Sequence, residues 1–187
     1  MVQLKRTETK EELQGILTLQ SENIKSILSE EIKGKEGFVT LKHEFDLLEK
    51  MNLLEPHIIA KENDRVVGYA LVMVPQLKDE IPILFPMFEK INTLTYNGHN
   101  LSESSYYVMG QVCIAKDFRG KGLFQKLYEM HMSELSDHYD YCITEVSKSN
   151  PRSIRAHEKV GFQTIHSFTD KEDSWEIILL DLKKTNV

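Results

Sequence analysis

The stretch Ile114-Ala-Lys-Asp-Phe-Arg119-Gly-Lys-Gly122-Leu-Phe-Gln125 runs from a strand into a basic, glycine-rich turn that opens a helix. Such a turn is an anion seat. The N–H groups of a helix's first turn and the positive end of its dipole favour phosphate. Gly120 and Gly122 let the main chain approach a ligand with no side chain between, and Arg119 and Lys121 add two cations. Upstream, Tyr106 to Ile114 is rich in β-branched and aromatic residues and predicts a strand. Downstream, Leu123, Phe124, Leu127, Tyr128, Met130 and Leu135 fall at spacings that give a helix one buried face. Nucleotide-binding loops fit less well, since GxxxxGKS or GxxxxGKT is absent and GxGxxG lacks its third glycine.

About thirty residues on, Thr144-Glu-Val-Ser-Lys-Ser-Asn150-Pro-Arg-Ser153-Ile-Arg-Ala-His157-Glu-Lys-Val-Gly161-Phe162 begins in a second apolar strand and ends in a second short helix. Together the two segments resemble the GNAT acyltransferase superfamily. Its first motif is Q/R-x-x-G-x-G/A, and its second reads roughly L-E-V, then N-x-x-A-x-x-x-Y-x-x-x-G-F. Arg119 and Gly122 fill the first two fixed places, while Glu145, Val146, Asn150, Gly161 and Phe162 match the second motif in order and spacing. Three places depart from the pattern: Phe124 stands where the family has a small residue, Ser153 replaces alanine, and His157 replaces tyrosine.

The resemblance implies a mixed α/β, GNAT-like fold: a central, mostly antiparallel sheet of about seven strands with a splayed parallel pair and helices on both faces. It also implies acetyl coenzyme A as cosubstrate, with the main chain of Val112, Cys113 and Ile114 meeting the pantetheine arm as an added strand would. Arg119, Gly120, Lys121, Gly122, Leu123, Phe124 and Gln125 then hold the diphosphate, and Asn150 contacts the pantetheine or stabilises the gap between the two parallel strands. A helix cap before Pro151 is an equally good reading of Asn150. The implied reaction is direct attack of a primary amine on the thioester, both substrates being bound together.

An alkyl ammonium has a pKa near ~10.4, so the amine must lose a proton before it attacks. Glu145, in an apolar strand, is the candidate base; the other reading is a residue facing outward. His157 takes the place from which the family's tyrosine protonates the departing sulfur, and an imidazolium at about 6.5 delivers a proton downhill to a thiol at about 8.5. The other reading of His157 is an ordinary core or surface residue. The rival function is a non-catalytic acyl coenzyme A binding or regulatory domain, suggested by Phe124 and His157.

Length and composition agree with one domain over residues 1–187: 41% of residues are apolar and 28% charged. A net charge of −6 argues against a nucleic-acid surface, and nowhere do eighteen apolar residues run together, so neither nucleic acid nor membrane is an expected partner. The expected acceptor is a small-molecule amine or a peptide or protein amino group. Cys113 and Cys142 lie in apolar runs and read as buried thiols of a reducing compartment, hence the cytoplasm; no Cys–His spacing suggests a metal.

Elsewhere, Val2 to Arg6 predicts a strand, and Thr9 with Glu12 a capping box ahead of Leu13, Ile16, Leu17, Leu19 and Ile24. Phe45, Leu48, Met51 and Leu54 predict one face of a helix, and Asn63-Asp64 a hairpin turn between two strands. Gln163 to Phe168 and Trp175 to Leu182 predict two closing strands. Residues 75–105 are long for a connection; a short helix near Ile81 to Ile91 reads either as a lid over the substrate or as core or homodimer contact.

Overall fold

The computed structural model describes residues 1–24, 39, 41–171 and 173–184. The chain forms two compact units, Met1–Val72 with Met109–Ser133, and Met73–Val108 with Glu134–Val187. The main sheet has seven strands in the order β1-β2-β3-β6-β7-β9-β8, and a separate pair is β4-β5.

The first unit opens with β1 (Val2–Arg6), antiparallel to β2 (Ile58–Glu62), which is in turn antiparallel to β3 (Arg65–Met73). The β2–β3 hairpin closes through Asn63-Asp64, with Asn63 at φ 54°, a left-handed conformation that asparagine tolerates. Helix α1 (Lys10–Ser21) carries the predicted capping box: Glu12 N–H donates to Thr9 Oγ1, and Thr9 N–H to Glu12 Oε2, each at 3.3 Å. Leu13, Ile16 and Leu19 are buried as the periodicity predicts. So is Glu12. Burial alone would raise its carboxyl, but the Glu8 amide and the ammonium groups of Lys5 and Lys61 outweigh it and hold the group down at about 2.

Helix α2 (Phe45–Leu54) corrects one expectation, because Leu48 and Met51 are buried whereas Leu54 is 55% exposed. Three residues fall about 60° short of a full turn, so a strict three-residue spacing rotates off the core face within three steps. His57 is fully buried ahead of β2; its Nδ1 accepts the Val72 N–H at 3.1 Å and its Nε2–H donates to Leu48 O at 3.3 Å.

The second unit contains α3 (Phe85–Ile91), the β4 (Thr95–Tyr96) and β5 (His99–Asn100) hairpin, and the start of β6 (Tyr106–Ile114). After α4 (Leu123–Leu135) come β7 (Tyr141–Ser147), α5 (Pro151–Lys159), β8 (Gln163–Thr169) and β9 (Ser174–Asp181). β6 and β7 make the parallel pair, Tyr106–Val108 opposite Tyr141–Ile143, and β9 lies antiparallel to both β7 and β8. The long 75–105 connection holds the predicted short helix, and Leu77, Ile81, Met87, Phe88, Ile91 and Leu101 are buried. That burial favours the core-building reading of the segment.

Among the described residues no helix is long and apolar enough to cross a membrane, and no group of three His, Cys, Asp or Glu side chains is placed to hold a metal ion.

Candidate active site

In the first unit, β6 is anchored where it ends: Ala115 N–H donates to Val67 O of β3 at 2.9 Å. Cys113 is buried, while Val112 and Ile114 on either side of it are half-buried. A short 3-10 turn, Lys116–Phe118, follows, pinned from outside by the ion pair of Arg65 with Asp117 at 2.9 Å. Arg119 then turns its guanidinium inward. Nε donates to Ile114 O at 3.0 Å, and Nη2 to Asn23 Oδ1 just past α1. Lys121 lies over the Phe118 ring, 5.1 Å from its centroid.

Gly120 and Gly122 adopt φ 74° and 75°, and a Cβ built on either meets nothing within 4 Å. These positions are glycine for backbone conformation, and the main chain there is open to an approaching ligand. Helix α4 begins at Leu123, its first bond closing from Lys126 N–H to Gly122 O at 3.2 Å, so the first-turn amides face out along the axis. Leu123 is buried against Gly68 of β3, where any larger residue would crowd its Cδ2. Tyr128 leans back along the helix over Phe124, ring centroids 5.0 Å apart, and the Gln125 side chain donates to Glu129 at 2.8 Å. The glycines, the outward amides and the exposed Lys121 and Lys126 leave this turn open at its surface, whereas the Arg119 guanidinium is engaged by Ile114 and Asn23.

In the second unit, Glu145 is half-buried in β7, opposite Ile177 of β9. Burial, and secondarily the Asp170 carboxylate, push its carboxyl up to about 8. Asn150 caps α5, accepting the Ser153 N–H at 3.2 Å ahead of Pro151. The cap reading of Asn150 is therefore realised. His157, on the same helix, is buried; its Nδ1–H donates to Ser153 O at 2.8 Å and its ring meets Phe162 edge-on at 5.1 Å. Burial pushes its pKa down to about 4, so the ring rests neutral. The carbonyl partner fixes the proton on Nδ1 and leaves Nε2 as the basic nitrogen.

Sequence reasoning missed the groups that surround these residues. Ser147 Oγ donates to Asp173 Oδ2 at 2.6 Å and accepts the Ser149 N–H at 3.0 Å, tying the β8–β9 turn to the end of β7. Asp170 reaches the neighbourhood of Glu145 through the same turn. Only the β8–β9 register brings them there.

A seven-stranded, mostly antiparallel sheet with one parallel pair, together with the helices, matches the GNAT fold. The chain belongs to the acetyltransferase (GNAT) family, which matches residues 23–162, well over half its length, and it is accordingly an acyltransferase. Among solved structures it is similar to the ribosomal-protein-S18-alanine N-acetyltransferase of Escherichia coli, at TM-score 0.63 and 16% identity, over 100% of this chain and 99% of that one. It is similar also to yncA of Salmonella typhimurium with its cofactor acetyl-CoA, at 0.63 and 16%, over 100% and 96%. A third is an N-acetyltransferase of Staphylococcus aureus Mu50, at 0.63 and 19%, over 98% and 99%. No curated protein matches the chain.

Proposed function

We propose that the protein transfers an acetyl group from acetyl coenzyme A to a primary amine that attacks directly while both substrates are bound, residues 1–187 acting as one catalytic domain. The observation that carries this reading is the open turn at Gly120 and Gly122 heading α4. Bound there, acetyl coenzyme A supplies an acyl group already activated as a thioester.

The main-chain edge of Val112, Cys113 and Ile114 bonds the pantetheine arm, and the amides and cations from Arg119 through Gln125 hold the diphosphate. Asn150, besides capping α5, supports the pantetheine side. Glu145 takes the proton from the substrate ammonium. A carboxyl at about 8 is near neutrality, which is where a general base works best, and its partial burial strengthens its basicity. His157, neutral at rest, takes at Nε2 the second proton that the nitrogen sheds after attacking the thioester and passes it to the departing sulfur, a transfer that a weakly basic ring makes readily.

The Asp170 carboxylate beside Glu145 favours a cationic acceptor. Likeness to an enzyme named for a ribosomal-protein alanine supports keeping protein amino groups beside small amines as the acceptor class. Buried Cys113 and Cys142 support a reducing, cytoplasmic setting. Calorimetry with coenzyme A and a thiol-release assay over a panel of amines test the reading. Binding with release on at least one amine is expected; tight binding with release on none would restore the binding-only alternative.

A further inference from the structure

A buried polar network lies in the first unit outside every residue given a chemical role above. Gln20, the penultimate residue of α1, is 1% exposed. Its Nε2 donates to Gln111 Oε1 at 2.8 Å and to His43 Nδ1 at 2.9 Å, and its Oε1 accepts the His43 N–H at 2.8 Å. Gln111, the β6 residue before Val112, accepts in addition from the Tyr69 hydroxyl at 2.6 Å and donates to Leu41 O at 2.7 Å. The polarity of both amides is thereby determined: turning Gln20 over would set its NH2 against the His43 N–H, and turning Gln111 would set NH2 against NH2.

Three residues beyond Gln20 stands Asn23, also buried, whose Oδ1 accepts from Arg119, while Arg119 Nε donates to Ile114 O. Asn23 is itself held, its Nδ2 donating to Leu19 O at 2.8 Å and its N–H to Gln20 O at 3.0 Å. The end of α1 therefore grips the 111–119 segment at both extremities, on the near side through Gln111 and on the far side through Arg119. Apolar contacts are non-directional and resist sliding of a strand poorly, whereas hydrogen bonds of defined polarity resist it well. Buried amides are costly unless satisfied, and an apolar pair would fill the same space without that cost.

We propose that Gln20 and Asn23 are positioning residues: a two-point clamp from the end of α1 that sets the strand edge Val112–Ile114 and the turn after it for the cofactor. The inference rests on the cofactor reading above. Its direct readout is affinity for coenzyme A, measured by calorimetry on the full chain and supported by KM for acetyl coenzyme A, with KM for the amine as internal reference.

Asn23→Ala is expected to weaken coenzyme A binding at least tenfold, and Asn23→Asp, which keeps the oxygen facing Arg119, to restore it to within about threefold. Gln20→Met is expected to weaken it to a similar degree. Ile16→Val, in the core of the same helix, supplies a control with lowered Tm and unchanged affinity. Equal affinity of Asn23→Ala and the wild type would overturn the clamp, as would equal losses in Ile16→Val at matched Tm. Should Gln20→Met fail to fold, the Asn23 pair decides alone. A wild-type protein that ignores coenzyme A would instead remove the cofactor reading, and the clamp with it.

Discussion

The Nδ1–H of His157 donates to the carbonyl oxygen of Ser153 at 2.8 Å, one turn back on α5, so the ring is held in one tautomer by its own helix. His157→Phe keeps an aromatic ring against Phe162 but removes both nitrogens. A fall in kcat of tenfold or more is expected, with KM for acetyl coenzyme A changed less than about threefold, as when a transition-state contact is lost. Steady-state kinetics on both substrates check this, and unchanged kcat would take His157 out of the chemistry.

For Glu145 the sign of the pH effect is set by its raised pKa. Between the usual 4.5 and about 8 the unfolded chain ionises this group while the folded protein keeps it protonated, so its contribution to stability is lost as pH rises through that window. Glu145→Gln should therefore gain in Tm over the wild type from pH 5 to pH 8. Its activity should fall, and recover partly at high pH where more of the amine is already neutral. Differential scanning calorimetry with a pH–rate profile tests both parts.

The glycine turn has a conformational requirement. Gly122→Ala places a Cβ at φ 75°, which costs about 1–2 kcal/mol, although the space around it is open. A Tm lower by several degrees is expected, together with weaker coenzyme A binding, since the strained turn relaxes away from the geometry that aims its amides.

Acid should unfold the first unit through its buried histidines. Burial pushes His57 and His131 down to about 3 and His43 down to about 4. Each contributes stability that is complete above 6.5 and is lost as pH falls, on the order of 1 kcal/mol per pH unit. Urea unfolding at pH 7, 6 and 5 should show the decline, and His57→Gln, though less stable at pH 7, should show a shallower one.

Much of this architecture is legible in local chemistry. The capping box of α1, the Asn63-Asp64 turn and the glycine turn before α4 are each written in adjacent residues, and each forms as read. Leu54 misleads because three-residue spacing imitates a helical face only over short runs. The β4–β5 hairpin had a signal in Asn97-Gly98, both at positive φ, but its two-residue strands are too short to show alternation. The partners of Gln111 and Glu145 come from residues 91 positions upstream and from the β8–β9 turn, so only long-range register brings them near.

Asp170 follows β8, beyond the last residue matched by the family, yet its charge helps set the acidity of a carboxyl on β7. With Glu145 as the proposed base, substitutions in that outlying turn would shift the pH at which the protein operates. Relatives sharing every motif letter but differing at this one loop position would then be suited to differently acidic surroundings.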